Sequence, residues 1–236
     1  MITIIEETAS TNADCVAALS SGAVPDEGDW IVARRQTAGR GRQGREWFDG
    51  SGNFMGSTVV ELQTDDPPPP TLGFAAAMSV AHTVDQWIEG AAPIRTKWPN
   101  DVLLDGGKVC GILMEMVGKH VVVGIGVNLA RAPEIEGRKT AAISDHVTAP
   151  SVDDFANKLG ASFASWLSSW RIGGLDLILR DFLYSCRYSE GMPLTVHDTD
   201  GSRVEGTFAG LEQTDGALRL RLADGSERVI RAGDIS

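Results

Sequence analysis

The sequence predicts an α+β fold in which a mixed or antiparallel sheet is flanked by helices and followed by a small C-terminal β-barrel. Three features predict it. Short β-branched runs alternate with helical patterns in the first half, strand patterns follow one another between residues 94 and 129, and helical periodicity ends before Gly191. The chain has 236 residues, 42% of them hydrophobic, which is enough for one core and a small second domain. This composition excludes a disordered chain and a disulfide-stabilised miniprotein.

Hydrophobic periodicity and turn residues predict the individual elements. Strands are predicted over residues 1–6, 30–35, 54–62, 94–97, 102–104, 109–117 and 121–129. Helices are predicted over residues 11–22, 71–89, 151–170 and 173–185. Thr11 with Asp14, and Ser151 with Asp154, have the spacing of a capping box. The four strands after residue 93 are typical of an antiparallel meander.

The sequence pattern changes after Gly191, where Asp-Gly pairs at 200–201, 215–216 and 224–225 indicate short hairpins. We therefore divide the chain into a main domain over 1–190 and a β module over 191–236.

The charge distribution is uneven. A net charge of −11 disfavours general binding to nucleic acid. Residues 34–45, RRQTAGRGRQGR, nevertheless hold five of the 21 basic residues and no acid. Glycines let a backbone approach a ligand, and guanidinium forks match phosphate and carboxylate oxygens. The segment therefore indicates an anion site, most simply for a phosphate, although its spacing is neither a Walker loop nor a dinucleotide fingerprint. The alternative is a flexible, solvated loop.

The N-terminal residues, the lengths of the apolar runs and the spacing of the cysteines argue against several classes of protein. Glu6 and Glu7 stand where a secretory signal would carry basic residues, and the longest apolar run, VVVGIGV, is too short to span a membrane. Cys15, Cys110 and Cys186 are widely spaced, which favours neither a disulfide framework nor a zinc site, so they are interpreted as packing residues. We expect a soluble, cytoplasmic protein.

A second candidate site surrounds two lysines. Lys97 and Lys108 are two of only five lysines in the chain, and they lie close to Asn100 and Asp101. A lysine at the mouth of a buried strand requires an anionic partner. That partner is either a ligand, or Asp101 or Asp105 in a surface ion pair that contributes little.

Glycines also interrupt two apolar strands. Gly111 lies in one strand and Gly124 and Gly126 lie in the next, where glycine lowers stability unless a ligand or another backbone comes close. They indicate an apolar slot for a slender ligand, or else a β-bulge or tight sheet packing.

Taken in order, these motifs resemble a known family. STN (10–12), RRQTAGRGRQGREW (34–47), KWPNDV (97–102), GGKVCGIL (106–113) and GIGVNL (124–129) together closely resemble biotin protein ligase, also called biotin–[acetyl-CoA-carboxylase] ligase. The resemblance covers about residues 5–130, and the tail from Gly191 is similar to the SH3-like C-terminal domain of that family. It implies a class II synthetase-like catalytic domain over 1–190 and an SH3-like β-barrel over 191–236.

The resemblance implies a reaction in two steps. Biotin and MgATP form biotinyl-5'-AMP and pyrophosphate, and a lysine of a biotin carboxyl carrier domain then attacks the mixed anhydride. The expected substrates are biotin and ATP with Mg²⁺, whose protein ligands are not assigned. The catalytic pattern begins with the first strand, so we expect the form that lacks an N-terminal DNA-binding domain, with no DNA or membrane partner; a homodimer is left open. The alternatives are a lipoate or octanoate ligase and a non-catalytic module that binds a nucleotide or RNA.

The resemblance also implies roles for individual residues. The catalytic residues are Lys108, Arg42 and Asp101. The biotin-binding residues are Ser10, Thr11, Asn12, Gln36, Gly39, Arg40, Gly41, Arg42, Lys108, Gly111 and Gly124. The ATP-binding residues are Arg42, Arg45, Trp47, Lys97, Asn100, Asp101 and Asn128. Lys108 is expected to bridge the biotin carboxylate and the α-phosphate. Asp101 is expected to face ATP and Mg²⁺, or to orient Lys108 or the incoming amine.

The glycine-rich and arginine-rich loop is also expected to change its dynamics. Glycines disfavour a fixed backbone, and neighbouring arginines repel one another until an anion arrives. We therefore expect residues 37–52 to be mobile without ligand and to become ordered when biotin or its adenylate binds.

Overall fold

Two sheets and four α-helices form over the described residues, 1–197 and 201–235, of this computed structural model. The strands are β1 (Ile2–Thr8), β2 (Trp30–Gln36), β3 (Phe54–Glu61), β4 (Ile94–Lys97), β5 (Asp101–Leu104), β6 (Gly107–Val117), β7 (His120–Val127), β8 (Pro193–His197), β9 (Arg203–Leu211), β10 (Leu218–Arg221), β11 (Glu227–Ile230) and β12 (Asp234–Ile235). The helices are α1 (Thr11–Ser20), α2 (Leu72–Ile88), α3 (Val152–Ile172) and α4 (Gly174–Tyr184). The predicted α+β class is confirmed.

The main sheet has seven strands in the order β1-β2-β3-β7-β6-β5-β4. Its first pair, β1 with β2, is parallel and is connected through α1, whereas every other neighbouring pair is antiparallel. The mixed sheet and the meander from β4 to β7 are therefore as the sequence predicted. β6 and β7 lie at its centre, and the main cavity opens on them.

The capping of α1 differs from the prediction by one residue. Ser10 has extended dihedrals, φ −165° and ψ 125°, and its side chain accepts a hydrogen bond from Ala13 N. Asp14 instead accepts the Thr8 hydroxyl at 2.7 Å. Thr11 cannot cap the helix because its hydroxyl is engaged in the sheet, as described below. For α3 the N-cap at Ser151 is confirmed, since Asp154 N donates to Ser151 Oγ at 3.0 Å, but the Asp154 carboxylate accepts the Ser151 hydroxyl rather than its backbone N–H.

The two faces of the main sheet are covered unequally, and β7 shows this most clearly. Val121, Val123 and Ile125 belong to the large core that α2, α3 and α4 cover. Val122 points to the opposite face and packs with Cys15 of α1. Strand side chains alternate between faces, so Gly124 and Gly126 share the face of Val122, where Gly124 meets the first turn of α1 and Gly126 lies beyond it. Helix α1 is too short to cover that face, and the uncovered part becomes the cavity.

The C-terminal module is a five-stranded antiparallel sheet in the order β11-β10-β9-β8-β12. Gly216 and Gly225 have φ of +69° and +84°, which confirms two of the predicted Asp-Gly turns. Asp200, in the third predicted turn, lies outside the described residues. The division at 190/191 stays a prediction.

The module is joined to the main domain by a shared core rather than by a linker alone. Its Val196 and Phe208 belong to the same hydrophobic cluster as the core under the main sheet. Trp98 Nε1 donates to Gly216 O at 3.1 Å, and a Cβ at Gly216 would lie 2.2 Å from the ring of Phe74 on α2. This docking brings β12 to the rim of the cavity.

The three cysteines are packing residues. Cys15, Cys110 and Cys186 are free, and each packs within or against a hydrophobic cluster, as predicted. Burial raises the pKa of the Cys15 thiol to about 11. None of the helices in the described part of the chain has the length and apolar character needed to cross a membrane.

Candidate active site

A cavity of about 1510 Å³ opens on the face of the main sheet that α1 leaves uncovered. All the site residues predicted from the sequence line it: Ser10, Thr11, Asn12, Gln36, Gly39, Arg40, Gly41, Arg42, Arg45, Trp47, Lys97, Asn100, Asp101, Lys108, Gly111, Gly124 and Asn128. The fold thus brings together four segments of the main domain that are far apart in sequence.

One end of the cavity has a floor of buried, neutral polar groups. Thr11 N donates to Gln36 Oε1 at 2.8 Å, and the hydroxyls of Thr11 and Ser57 lie 2.7 Å apart. Ser57 Oγ then donates to Asn12 Oδ1 at 2.6 Å. All four residues are buried, so the chain of hydrogen bonds fixes the amide orientations. Gln36 Oε1 is occupied, which leaves its Nε2 as a donor for a ligand.

Glycines on β6 and β7 make room above this floor. A Cβ at Gly124 would lie 2.0 Å from Asn12 Oδ1, and one at Gly126 would lie 2.2 Å from the Trp47 indole. Gly111, which pairs with Gly126, has the same indole 2.7 Å from its Cβ position. These positions therefore accept only glycine while Asn12 and Trp47 lie flat on the sheet, and the bulge that was the alternative is not found there. The one register shift on β6 lies nearer its start.

The glycine-rich and arginine-rich segment forms a hairpin-like loop over the cavity. Gly41 N donates to Arg45 O at 2.7 Å, and a 3₁₀ turn spans Arg42–Gly44. Its arginines reach three different elements. Arg40 pairs with Glu115 of β6 at 3.1 Å, Arg42 donates to Asn100 Oδ1 at 2.9 Å, and Arg45 forms an ion pair with Asp234 of β12.

Lys108 lies near the start of β6, beside Asp101 of β5. Its Nζ is 2.6 Å from Asp101 Oδ1, while Asp105 pairs with Lys139 instead. Of the two protein partners predicted for Lys108, the structure therefore selects Asp101. Lys97 lies nearby and donates to the backbone oxygen of Ile235 at 2.8 Å. Burial lowers the pKa of Lys97, and the charges of Arg187 and Lys108 lower it further, against an opposing effect of Asp101.

Two buried polar atoms in this part of the cavity have no partner among the described residues. Asn128 donates through Nδ2 to Ala141 O at 3.1 Å and to Lys108 O at 3.4 Å, but its Oδ1 accepts nothing. The indole nitrogen of Trp47 is likewise buried and unpartnered. Unpaired buried polar atoms are unfavourable, so both favour a ligand that carries hydrogen-bonding groups and a flat ring.

Three residues of the site were missed by the sequence analysis. Ser57 had no signal at all, because a serine in a strand is unremarkable. Glu115 had one, since it is an acid inside the apolar run VCGILMEM. Asp234 lies far along the chain and meets the loop only through docking of the C-terminal module. Burial raises the pKa of the Asp234 carboxyl, but the hydrogen bond and charge of Arg45 and the charge of Arg42 outweigh it, so the pKa is lowered.

Comparison with known proteins assigns the family. The profile of the Biotin/lipoate A/B protein ligase family matches residues 7–128, and that of the Biotin protein ligase C terminal domain matches residues 194–236. A biotin--[acetyl-CoA-carboxylase] ligase of Paracoccus denitrificans is 37% identical over 98% of this chain and 98% of its own. One of the same description from Mycobacterium tuberculosis is 36% identical over 98% of this chain and 87% of its own.

A solved structure agrees in fold. The biotin protein ligase of Aquifex aeolicus in complex with biotin and ATP matches 100% of this chain and 97% of its own, with a TM-score of 0.85 at 22% identity. At that identity the likeness concerns the fold alone. Since the family profile covers more than half of the chain and the curated relatives cover nearly all of it, this protein belongs to the biotin/lipoate A/B protein ligase family, in its biotin protein ligase branch.

Proposed function

We propose that this protein joins biotin and ATP to form biotinyl-5'-AMP and then transfers the biotinyl group to a lysine of a biotin carboxyl carrier domain. The observation that carries the proposal is the division of the cavity. A neutral, hydrogen-bonded floor lies at one end, and Arg42, Arg45 and Lys108 form a group of cations at the other. A ligand with a neutral polar ring and a carboxylate fits the first end, and a nucleoside triphosphate fits the second.

The floor suits the ureido ring of biotin. That ring presents one carbonyl acceptor and two N–H donors, which match the free Nε2 of Gln36 and the hydroxyl oxygens around it. Gly124 and Gly111 let Asn12 and Trp47 lie close against β7 and β6, and these two side chains line the part of the cavity where the bicyclic ring and its alkyl chain would lie. The carboxylate at the end of that chain then points toward Lys108.

Adenylate formation brings two anions together. A carboxylate oxygen of biotin attacks the α-phosphorus, the bond from phosphorus to the bridging oxygen breaks, and pyrophosphate leaves. An ammonium has three donors, so Lys108 can keep its bond to Asp101 and still donate to the carboxylate and to the α-phosphate. Arg42, which now donates to Asn100, adds a second positive charge at the same place. Such preformed charges stabilise the transition state more than the separate reactants.

The other end of the cavity suits ATP. Trp47 offers a flat indole for the adenine ring, and Asn128 Oδ1 is an unoccupied acceptor for its amino group. Lys97 and Arg45 lie toward the C-terminal module, where the β- and γ-phosphates would be held.

Mg²⁺ is part of this proposal, and its demands on the protein are small. The described residues contain no group of three or more His, Cys, Asp or Glu side chains able to hold a metal. Magnesium in ATP sites keeps several waters and needs only one or two carboxylates beside the phosphates. Asp101 fits that limited demand, and the ion would neutralise phosphate charge. Its contact with Lys108 also makes Asp101 the residue that orients the ammonium.

The second step consumes the adenylate. The acceptor amine attacks the carbonyl carbon of the anhydride, AMP leaves with the bridging oxygen, and the nitrogen loses a proton. The names of the relatives from Paracoccus denitrificans and Mycobacterium tuberculosis support a carrier domain of acetyl-CoA carboxylase as the acceptor.

The floor also decides between the alternatives. A lipoyl dithiolane ring or an octanoyl chain has no group to pair with Gln36 and Thr11, and leaving buried polar groups unpaired is unfavourable. An RNA-binding module would display its cations on an open surface, whereas Arg42, Arg45 and Lys108 line a cavity.

The test is transfer of a label. The full chain is mixed with MgATP and a purified biotin carboxyl carrier domain, with either biotin or lipoate. Streptavidin blotting and intact mass are then used to follow the acceptor. Biotin should add one biotinyl group to the acceptor and lipoate should add nothing. Labelling by lipoate but not by biotin, or by neither, would overturn the proposal.

A further inference from the structure

We propose that Glu115 is a positioning residue that anchors the arginine loop to the biotin end of the cavity; this deepens the proposed function and rests on it. Glu115 lies on β6 and points to the cavity face, in register with Val122 of β7. Its carboxylate contacts the floor at Asn12 and the loop at Arg40. Its Oε2 accepts from Asn12 Nδ2 at 2.8 Å and lies 3.1 Å from Arg40 Nη2.

The contact with Asn12 fixes which atom of the Asn12 amide donates and which accepts, and so the donor–acceptor order of the hydrogen bonds in the floor. Asn12 Oδ1 accepts from Ser57, while Nδ2 donates to Glu115 at 2.8 Å and reaches Leu113 O only at 3.5 Å. Without a strong acceptor at residue 115, the Asn12 amide loses the group that distinguishes its two orientations. The chain of hydrogen bonds through Ser57 and Thr11 to Gln36 then loses its fixed polarity.

The contact with Arg40 sets the position of the loop. Arg42 and Arg45 are held by Asn100 and Asp234 at the cationic end, where arriving phosphates compete for both guanidinium groups. Arg40 is held at the opposite end. Glu115 lies four residues beyond Gly111 on β6, about 13 Å at roughly 3.3 Å per residue. The loop therefore keeps one attachment that phosphate binding does not disturb.

These two contacts make Glu115 the link between floor and loop. A continuous series of hydrogen bonds runs from Gln36 through Thr11, Ser57, Asn12 and Glu115 to Arg40. Loop position and floor orientation then depend on one carboxylate, so its loss should affect biotin more than ATP.

The experiment compares Glu115→Gln with Glu115→Ala. Glutamine keeps an acceptor for Asn12 but loses the charge that holds Arg40, and alanine loses both. Two measurements are made on the full chain: amide hydrogen exchange of residues 39–47 without ligand, and steady-state pyrophosphate release with biotin or ATP varied. Glu115→Gln should speed exchange and raise KM for biotin by about threefold, in line with a partly exposed ion pair. Glu115→Ala should raise it by about tenfold or more. In both, KM for ATP and the melting temperature should stay near wild type.

Two controls decide whether the change in exchange and in KM for biotin depends on the contact between Glu115 and Arg40. Glu7→Gln breaks another exposed glutamate–arginine pair, with Arg35 at 3.0 Å, outside the cavity, and should change neither measurement. In an Arg40→Met background, Glu115→Gln should produce no further change in exchange. The proposal is overturned if Glu115→Gln behaves like Glu7→Gln, or if its effect is undiminished in the Arg40→Met background. A wild-type chain without biotin-dependent pyrophosphate release would overturn the proposed function, while the exchange comparison would still decide the anchor.

Discussion

The two ends of the cavity are stabilised in different ways. At the floor, Thr11, Ser57 and Asn12 are buried and bonded to one another, so a neutral site is complete before any ligand arrives. At the cationic end, Lys108 and Arg45 are each paired with a carboxylate of the protein and remain partly exposed. Neutral polar groups can be buried once they are hydrogen-bonded, whereas buried cations require a counter-charge. We infer that the floor is preformed and that Asp101 and Asp234 hold the cations until phosphates arrive.

The largest expected effect comes from Lys108, one of the cations that line the cavity. Lys108→Ala should leave the melting temperature nearly unchanged, because the side chain is 37% exposed. It should lower adenylate formation by roughly a hundredfold or more, as losing a charge contact to the transition state does. Lys108→Arg should rescue poorly, since a planar fork cannot replace a compact ammonium. Pyrophosphate release and a thermal melt provide the measurements. A folded Lys108→Ala protein with near wild-type rate would show that the Asp101 pair is only structural.

The next effect tests whether the floor is preformed. Gly124→Ala places a Cβ 2.0 Å from Asn12 Oδ1, so the Asn12 amide must leave its bonds. Disrupting buried hydrogen bonds costs about 1–3 kcal/mol, which predicts a rise of roughly tenfold or more in Kd for biotin by calorimetry. Gly160→Ala on α3 is the control, because its nearest atom lies at 3.4 Å. Unchanged biotin affinity in Gly124→Ala would mean that the floor adapts rather than being fixed.

A smaller effect is expected where the C-terminal module docks. Trp98→Phe removes the hydrogen bond from the indole nitrogen to Gly216 O of the module. Trp98 stands just before Asn100 and Asp101 in the sequence, so the change should reach the ATP end of the cavity. KM for ATP should rise about threefold to tenfold, as expected for one buried hydrogen bond, and KM for biotin should not change. Trp87→Phe is a matched control, since its indole nitrogen is buried and has no hydrogen-bond partner among the residues that the structure describes. If both variants changed KM for biotin and ATP alike, the docking contact would be a matter of stability alone.

Deleting the module is a poorer test of the same point. Its Val196 and Phe208 share the main hydrophobic cluster, so a truncation after Glu190 would expose core side chains as well as remove β12.

The smallest effect concerns the carboxylate that holds Arg45. The pKa of Asp234 is lowered, so its ion pairs contribute stability above the ordinary pKa of an aspartate, and that stability is lost as pH falls through the lowered pKa. Arg45→Gln should raise the pKa of Asp234, followed by carboxyl carbon NMR over an acid titration. Arg203→Gln, which breaks an ion pair with Glu205 in the same module, should leave that pKa unchanged. An unaltered pKa of Asp234 in Arg45→Gln would show that the ion pair between the loop and the C-terminal module does not form in solution.

Much of this site could be predicted from sequence because its pieces are local. Period-2 and period-3.6 patterns predicted most elements within a few residues, since local patterns depend on which face of an element is buried. The candidate residues were found because arginines among glycines, or a lysine before an apolar strand, predict an anion site from neighbours that lie within a few residues in the sequence. The cap of α1 was misplaced by one residue because Thr11 is drawn into the sheet by Ser57 and Gln36, which no local pattern reveals.

By itself the sequence determined the order of the elements, a candidate anion site in residues 34–45, and the resemblance to a family through motifs in series. Only the tertiary structure decided which groups meet. Arg40 finds Glu115 across 75 residues, and Arg45 finds Asp234 across 189. Periodicity states which face a side chain occupies, but its neighbour on that face is set by strand register and by the docking of one sheet on another. Those are long-range choices, made by the packing of the whole core.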